Sequence, residues 1–160
     1  MPTRLDGSRK AKFQAAHPGS HAHVDALALK PRDGLRLAAT IWPTLPGKDR
    51  QVLMAIDVAG VAIRLEVAPH GGAALSVGRH RVEVAAPMLA RRWYGIEATV
   101  DAAGGMLSIV QKPLRPVGAI VDGGRQELKA DLPAIAGTAR VFIAAAPHGH
   151  AATAHYNGKI

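Results

Sequence analysis

The sequence predicts an all-β chain folded as a two-sheet sandwich. Apolar residues recur with period two, turn-forming Gly and Pro clusters separate the alternating segments at short intervals, and no stretch shows sustained helical periodicity with caps. A closed barrel is the competing architecture for such a pattern. Period two places successive side chains on opposite faces of an extended chain. In Val61–Val67 it sends Val61, Ile63, Leu65 and Val67 one way and Arg64 and Glu66 the other, so that one face is core and the other wet. Leu35, Leu37, Ala39 and Ile41 alternate in the same way with Arg36, Ala38, Thr40 and Trp42, as do Tyr94, Ile96, Ala98 and Val100 with Gly95, Glu97 and Thr99.

Further strands are expected at 51–56, 73–77, 80–85, 106–112, 125–130, 140–145 and 154–160, about ten in all. Reversals are expected at Pro46-Gly47-Lys48-Asp49, Gly60, Pro69-His70-Gly71-Gly72, Gly78, Gly104-Gly105 and Gly123-Gly124. Residues 93–112 read as a hairpin closed by the loop from Asp101 to Gly105. Pro113 to Asp122, with two prolines and a glycine, reads as a long loop. Residues 1–19 are expected to be a tail or lead-in strand and 20–160 the sandwich domain.

A chain of 160 residues can bury a core without staples, and with no cysteine it holds neither a disulfide framework nor a thiol nucleophile. The opening segment is polar and basic, without the apolar core of a signal peptide, and a cytoplasmic location is the expectation. No apolar run approaches the roughly 20 residues of a membrane-crossing helix, so no membrane partner is expected. The formal charge of +8 favours polyanions, but the basic residues are scattered and only six aromatics exist, so the pattern reads as a solvated surface and nucleic acid is not expected.

Catalytic constellations are sparse. No Gly-x-Ser-x-Gly elbow is present, and Glu97 with Asp101, the nearest approach to a carboxylate pair, is better explained by Asp101 forming the hairpin turn. Asp57, Asp122 and Asp131 read as turn and surface residues rather than calcium ligands. Among eight histidines, His148-Gly149-His150 with His155 is the tightest group, and imidazoles two apart on an extended chain point the same way; these three are the candidate metal ligands, with His21-Ala22-His23 offering the same spacing. Trp42, Trp93 and Tyr94 are the candidate binding residues, rings on which a saccharide could stack.

Four segments together carry a resemblance. They are Ala11-Lys12-Phe13-Gln14 with Gly19 to Val24, the run from Ala39 through Trp42-Pro43-Thr44-Leu45-Pro46-Gly47-Lys48-Asp49-Arg50-Gln51, then Arg92-Trp93-Tyr94, and the closing Ala154-His155-Tyr156-Asn157-Gly158-Lys159-Ile160. In order and spacing they resemble the lectin-like sandwich of the large subunit of the N,N-dimethylformamidase family. The resemblance implies an antiparallel jelly roll of the concanavalin A-like or laminin-G-like type. It also implies a parent enzyme that hydrolyses small N-alkylated formamides with iron held by tyrosine and glutamate in a separate catalytic region, paired with a small subunit. Tyr94 and Tyr156 fall inside the sandwich motifs and do not match the iron tyrosines, so no catalytic residue and no cofactor are expected in this chain. The expected function is that of a non-catalytic accessory domain whose partner is the catalytic region or the small subunit. A carbohydrate-binding module is the alternative.

Overall fold

The computed structural model describes residues 20–30, 34–115, 118–149 and 151–160; the segment 1–19 expected as a tail lies outside them. Thirteen strands are present among the described residues: β1 (Ala22–Leu29), β2 (Gly34–Pro43), β3 (Gln51–Val58), β4 (Val61–Val67), β5 (Ala73–Val77), β6 (His80–Glu83), β7 (Tyr94–Asp101), β8 (Met106–Pro113), β9 (Gly124–Lys129), β10 (Gly137–Ile143), β11 (Ala146–His148), β12 (Ala151–Thr153) and β13 (Gly158–Lys159). They form a six-stranded sheet in the order β1-β10-β3-β4-β5-β6, a five-stranded sheet in the order β13-β2-β7-β8-β9, and a two-stranded ribbon of β11 and β12. Every strand pair is antiparallel, with one isolated parallel bridge between Val52 and His155. The chain is a two-sheet antiparallel sandwich, as the alternation predicts.

The core is the set of inward side chains of both sheets. Ile41, Tyr94, Ile96, Val100, Leu107 and Ile109 of the five-stranded sheet meet Leu53, Ile56, Ile63, Leu65, Leu75 and Val77 of the six-stranded one. Burying a side chain of this size contributes about 1.5–3 kcal/mol, so this layer is the main stabilising element. The turns follow their chemistry. Val58 pairs with Val61, leaving Ala59 and Gly60 as a two-residue connection in which both residues have positive φ, +47° and +78°. The Asp101 Oδ1 accepts from the Gly104 N–H at 2.7 Å, so Asp101 is a turn former, although it belongs to β7 and the loop is the four residues 102–105.

Several expectations need correction. Glu66 is not on a wet face: it is fully buried, ion-paired with Arg81 and 3.9 Å from Arg50. Asp122 is also buried rather than a surface turn residue. The strand expected at 80–85 ends at Glu83, and that expected at 154–160 reduces to Gly158–Lys159, because Tyr156 turns inward and donates its backbone N–H to the Ala144 carbonyl at 2.9 Å. Ala22–Leu29, which lacks apolar alternation, is a strand because β10 offers it an edge. β3 is buried on both faces, since the β11–β12 ribbon covers its outer side through Val52, Ala55, Phe142 and Ala146.

Candidate functional site

An open cleft of about 670 Å³ lies on the outer face of the five-stranded sheet, lined by Thr40, Arg91, Arg92, Trp93, Leu114 and Arg115. Two loops bring these residues together. The connection from β6 to β7 delivers Arg91, Arg92 and Trp93, and is fixed where the Arg91 N–H donates to the Pro43 carbonyl at 2.7 Å while Arg91 holds a φ of +60°. The connection from β8 to β9 delivers Leu114 and Arg115, and is fixed where the Leu114 N–H donates to the Trp93 carbonyl at 2.9 Å. Gly95, opposite Thr40 and Lys112 in the sheet, has no side chain to fill the floor; a Cβ there would lie 3.6 Å from a Leu114 methyl.

Beneath the cleft a buried polar network locks both loops. The Tyr94 hydroxyl accepts from the Leu89 N–H at 2.8 Å and donates to Asp122 Oδ2 at 2.7 Å. Gln111 donates to the carbonyls of Asp122 at 2.6 Å and Ala86 at 3.0 Å, and its side-chain oxygen accepts from the Ala73 N–H at 2.8 Å. Gln111 therefore ties the two sheets and both loops together. Burial, assisted by the hydrogen bond to Asp122, pushes the Tyr94 phenol up to about 12.

The expected binding residues divide. Trp93 is 43% exposed and forms one wall of the cleft. Tyr94 is fully buried, so its ring offers no face to a ligand; it supports the site from below. Trp42 is half-buried on β2, with the Lys159 ammonium 5.0 Å above its ring. Sequence reasoning missed the three arginines and Leu114. In the sequence Arg91-Arg92 is one basic pair among scattered charges, and nothing in the spacing brings Arg115 to it.

The candidate metal ligands do not stand together among the described residues. His148 is exposed at the end of β11, His155 is half-buried with Nε2 3.2 Å from the Ala152 carbonyl, and His150 lies outside the described residues. His155 packs instead near His21, their ring centroids 5.6 Å apart, and His21 and His23 both stack on Phe142. Among the described residues no three His, Asp or Glu side chains gather as metal ligands. Nor do the tyrosines suit an iron centre: the Tyr94 hydroxyl is committed to Leu89 and Asp122, and Tyr156 is buried, which pushes its phenol upward. Glu97 is paired with Arg36 and Asp57 with Arg64, each at 2.6 Å.

Three of the segments that carry the sequence resemblance converge in space. Thr44 Oγ1 donates to Asn157 Oδ1 at 2.8 Å, the Asn157 N–H donates to Gln51 Oε1 at 2.9 Å, and the Pro43 carbonyl receives Arg91 beside Trp93.

Comparison with models of known protein families gives no match, and comparison with curated proteins gives none either. Solved structures do match. A provisionally assigned carbohydrate binding protein from Bacteroides ovatus superposes with a TM-score of 0.62 at 15% identity, over 88% of this chain and 39% of that one. The LG1-3 region of the laminin alpha2 chain gives 0.58 at 14% identity, over 86% and 29%. The heptameric SAP-like pentraxin of Limulus polyphemus gives 0.59 at 12% identity, over 86% and 65%. The chain thus spans less than two thirds of each of these proteins. None of these comparisons supports kinship with N,N-dimethylformamidase, which the sequence segments alone suggest. What the neighbours establish is the fold: the chain is a sandwich of the concanavalin A and laminin-G type.

Proposed function

We propose that the chain is a non-catalytic recognition module, the accessory sandwich domain of an amidohydrolase similar to N,N-dimethylformamidase, and that its working surface is the Trp93 cleft. The observation that carries this reading is the partly exposed indole of Trp93 in a preformed cleft whose two loops are locked from below by Tyr94, Gln111 and Asp122. A locked cleft loses little conformational entropy on binding, which suits recognition. The family's sandwich motifs supply the parent enzyme. Purified chain incubated with N,N-dimethylformamide, alone and with ferrous iron, is expected to release no dimethylamine; iron-dependent release would overturn the reading.

A carbohydrate-binding module is the second reading. It is favoured by the exposed indole and by the carbohydrate-binding description of the Bacteroides neighbour. Saturable binding of a neutral oligosaccharide, abolished by Trp93→Ala, would favour it over the first.

A further inference from the structure

The arginines around the Trp93 cleft differ from most of the other described arginines. Arg36, Arg50, Arg64, Arg81, Arg125 and Arg140 each stand within ion-pair distance of a carboxylate. Arg79, Arg91, Arg92 and Arg115 make no ion pair with any described carboxylate, and the last three of these line this one cleft, where among the described residues Arg92 Nη1 donates only to the Arg115 carbonyl, at 3.4 Å. Lys112, opposite Gly95 on the adjoining strand, adds a fourth cation beside it. The apolar side is equally uneven. Leu114 is 50% exposed beside Trp93, and Ile120 and Val121, further along the same loop, are also exposed.

These features narrow the occupant. Guanidinium groups only donate hydrogen bonds, and Thr40 brings the single side-chain acceptor in the lining. A saccharide, whose hydroxyls must also donate, is poorly served. Single-stranded nucleic acid uses successive aromatic platforms, and this cleft has one. Carboxylates interleaved with aliphatic side chains match both halves of the surface, because arginine pairs bidentately with carboxylate while Trp93 and Leu114 receive the aliphatic groups. We infer that the Trp93 cleft docks an acidic polypeptide segment of a partner protein, carboxylates meeting Arg91, Arg92 and Arg115 and an apolar side chain seated between Trp93 and Leu114. The inference rests on the recognition-module reading and names the partner's chemistry.

The test is calorimetric titration of the full chain with a short synthetic peptide alternating glutamate and leucine. A lysine–leucine peptide, polygalacturonate and polyuridylate serve as comparisons. The expected result is saturable binding of the acidic peptide alone, weakened by salt and weakened roughly tenfold or more in Trp93→Ala and in the double variant Arg91→Ala/Arg115→Ala. Arg79→Ala removes a charge elsewhere, in the β5–β6 turn, and is expected to leave affinity within about twofold. Trp93→Phe, a milder change, is expected to retain part of the affinity and separates lost contact from misfolding.

No binding of the acidic peptide, equal loss in Arg79→Ala, or tighter binding of polygalacturonate or polyuridylate at Trp93 would overturn the inference. Formamide hydrolysis by this chain would instead sink the accessory-domain reading. An inert chain that ignores the acidic peptide sinks this inference alone.

Discussion

The Tyr94 hydroxyl donates to Asp122 Oδ2 at 2.7 Å in the interior, joining the first residue of β7 to the loop that precedes β9. Both partners are buried, so the bond is protected from water and each oxygen depends on the other. Tyr94→Phe leaves the Leu89 N–H and the Asp122 carboxylate without their partner, and is expected to lower stability by about 1–3 kcal/mol in urea unfolding. A loss below roughly 0.5 kcal/mol would mean the pair is not formed in solution.

The same tyrosine predicts an alkaline limit. Its phenol is raised to about 12 in the folded chain against 10.0 for the ordinary group, so the folded state holds the proton more tightly than the unfolded one. Its stabilising contribution is complete below pH 10 and is lost as the pH rises toward about 12. Tyr156 is raised too, and these are the chain's two tyrosines. An absorbance titration of the folded protein should therefore show no phenolate step at pH 10. A step of ordinary pKa would contradict the burial of one or both.

Glu66 and Arg81 make a second buried dependence. The Glu66 side chain is fully buried and its charge is compensated by Arg81, itself 37% exposed, with Arg50 further off. Arg81→Met is expected to cost about 2 kcal/mol, at or below the low end for a broken buried pair because solvent reaches the arginine. Glu66→Gln in the same background should recover part of that loss. A chevron or urea series in which the two substitutions simply add would show that the pair is not coupled.

Two turn glycines are constrained for different reasons, and alanine at each should separate them. At Gly72 a Cβ would run into the Val84 carbonyl, part of the backbone that pairs with Ala73, so Gly72→Ala must open the end of the β5–β6 pairing and is expected to cost about 2–4 kcal/mol. At Gly60 the space is open but φ is +78°, so Gly60→Ala is expected to cost only about 1 kcal/mol, the conformational term alone. Thermal unfolding of the two variants should show the larger fall for Gly72→Ala; the reverse order would mean the 70–72 turn relaxes freely.

Period two was enough to place β4 and β7 and to assign their inward residues, because each has one face against the core over its whole length. It failed where a polar side chain is buried by partners far along the chain. Glu66 alternates like a surface residue, and only the pairing of β5 with β6 brings Arg81 over it. Asp122 sits among Pro and Gly like any loop acid, and its burial depends on Tyr94. β1 was illegible because its residues are exposed; the sheet edge holds it. In the cleft, Trp93 was legible as a ring that could bind. Arg115 was not, since it reaches the cleft through a loop whose course depends on the Leu114–Trp93 backbone bond.

The most direct measurement of the central claim needs no ligand. In Trp42→Phe the remaining tryptophan is Trp93, and its fluorescence reports the exposure and the sign of charge of the cleft. At low ionic strength the ratio of iodide to caesium quenching should exceed by several-fold the ratio for free N-acetyltryptophanamide, since three arginines concentrate anions there, and added salt should bring it down to the free value. A ratio equal to or below that of the free compound, or an indole that neither ion reaches, would contradict a preformed, cationic recognition cleft.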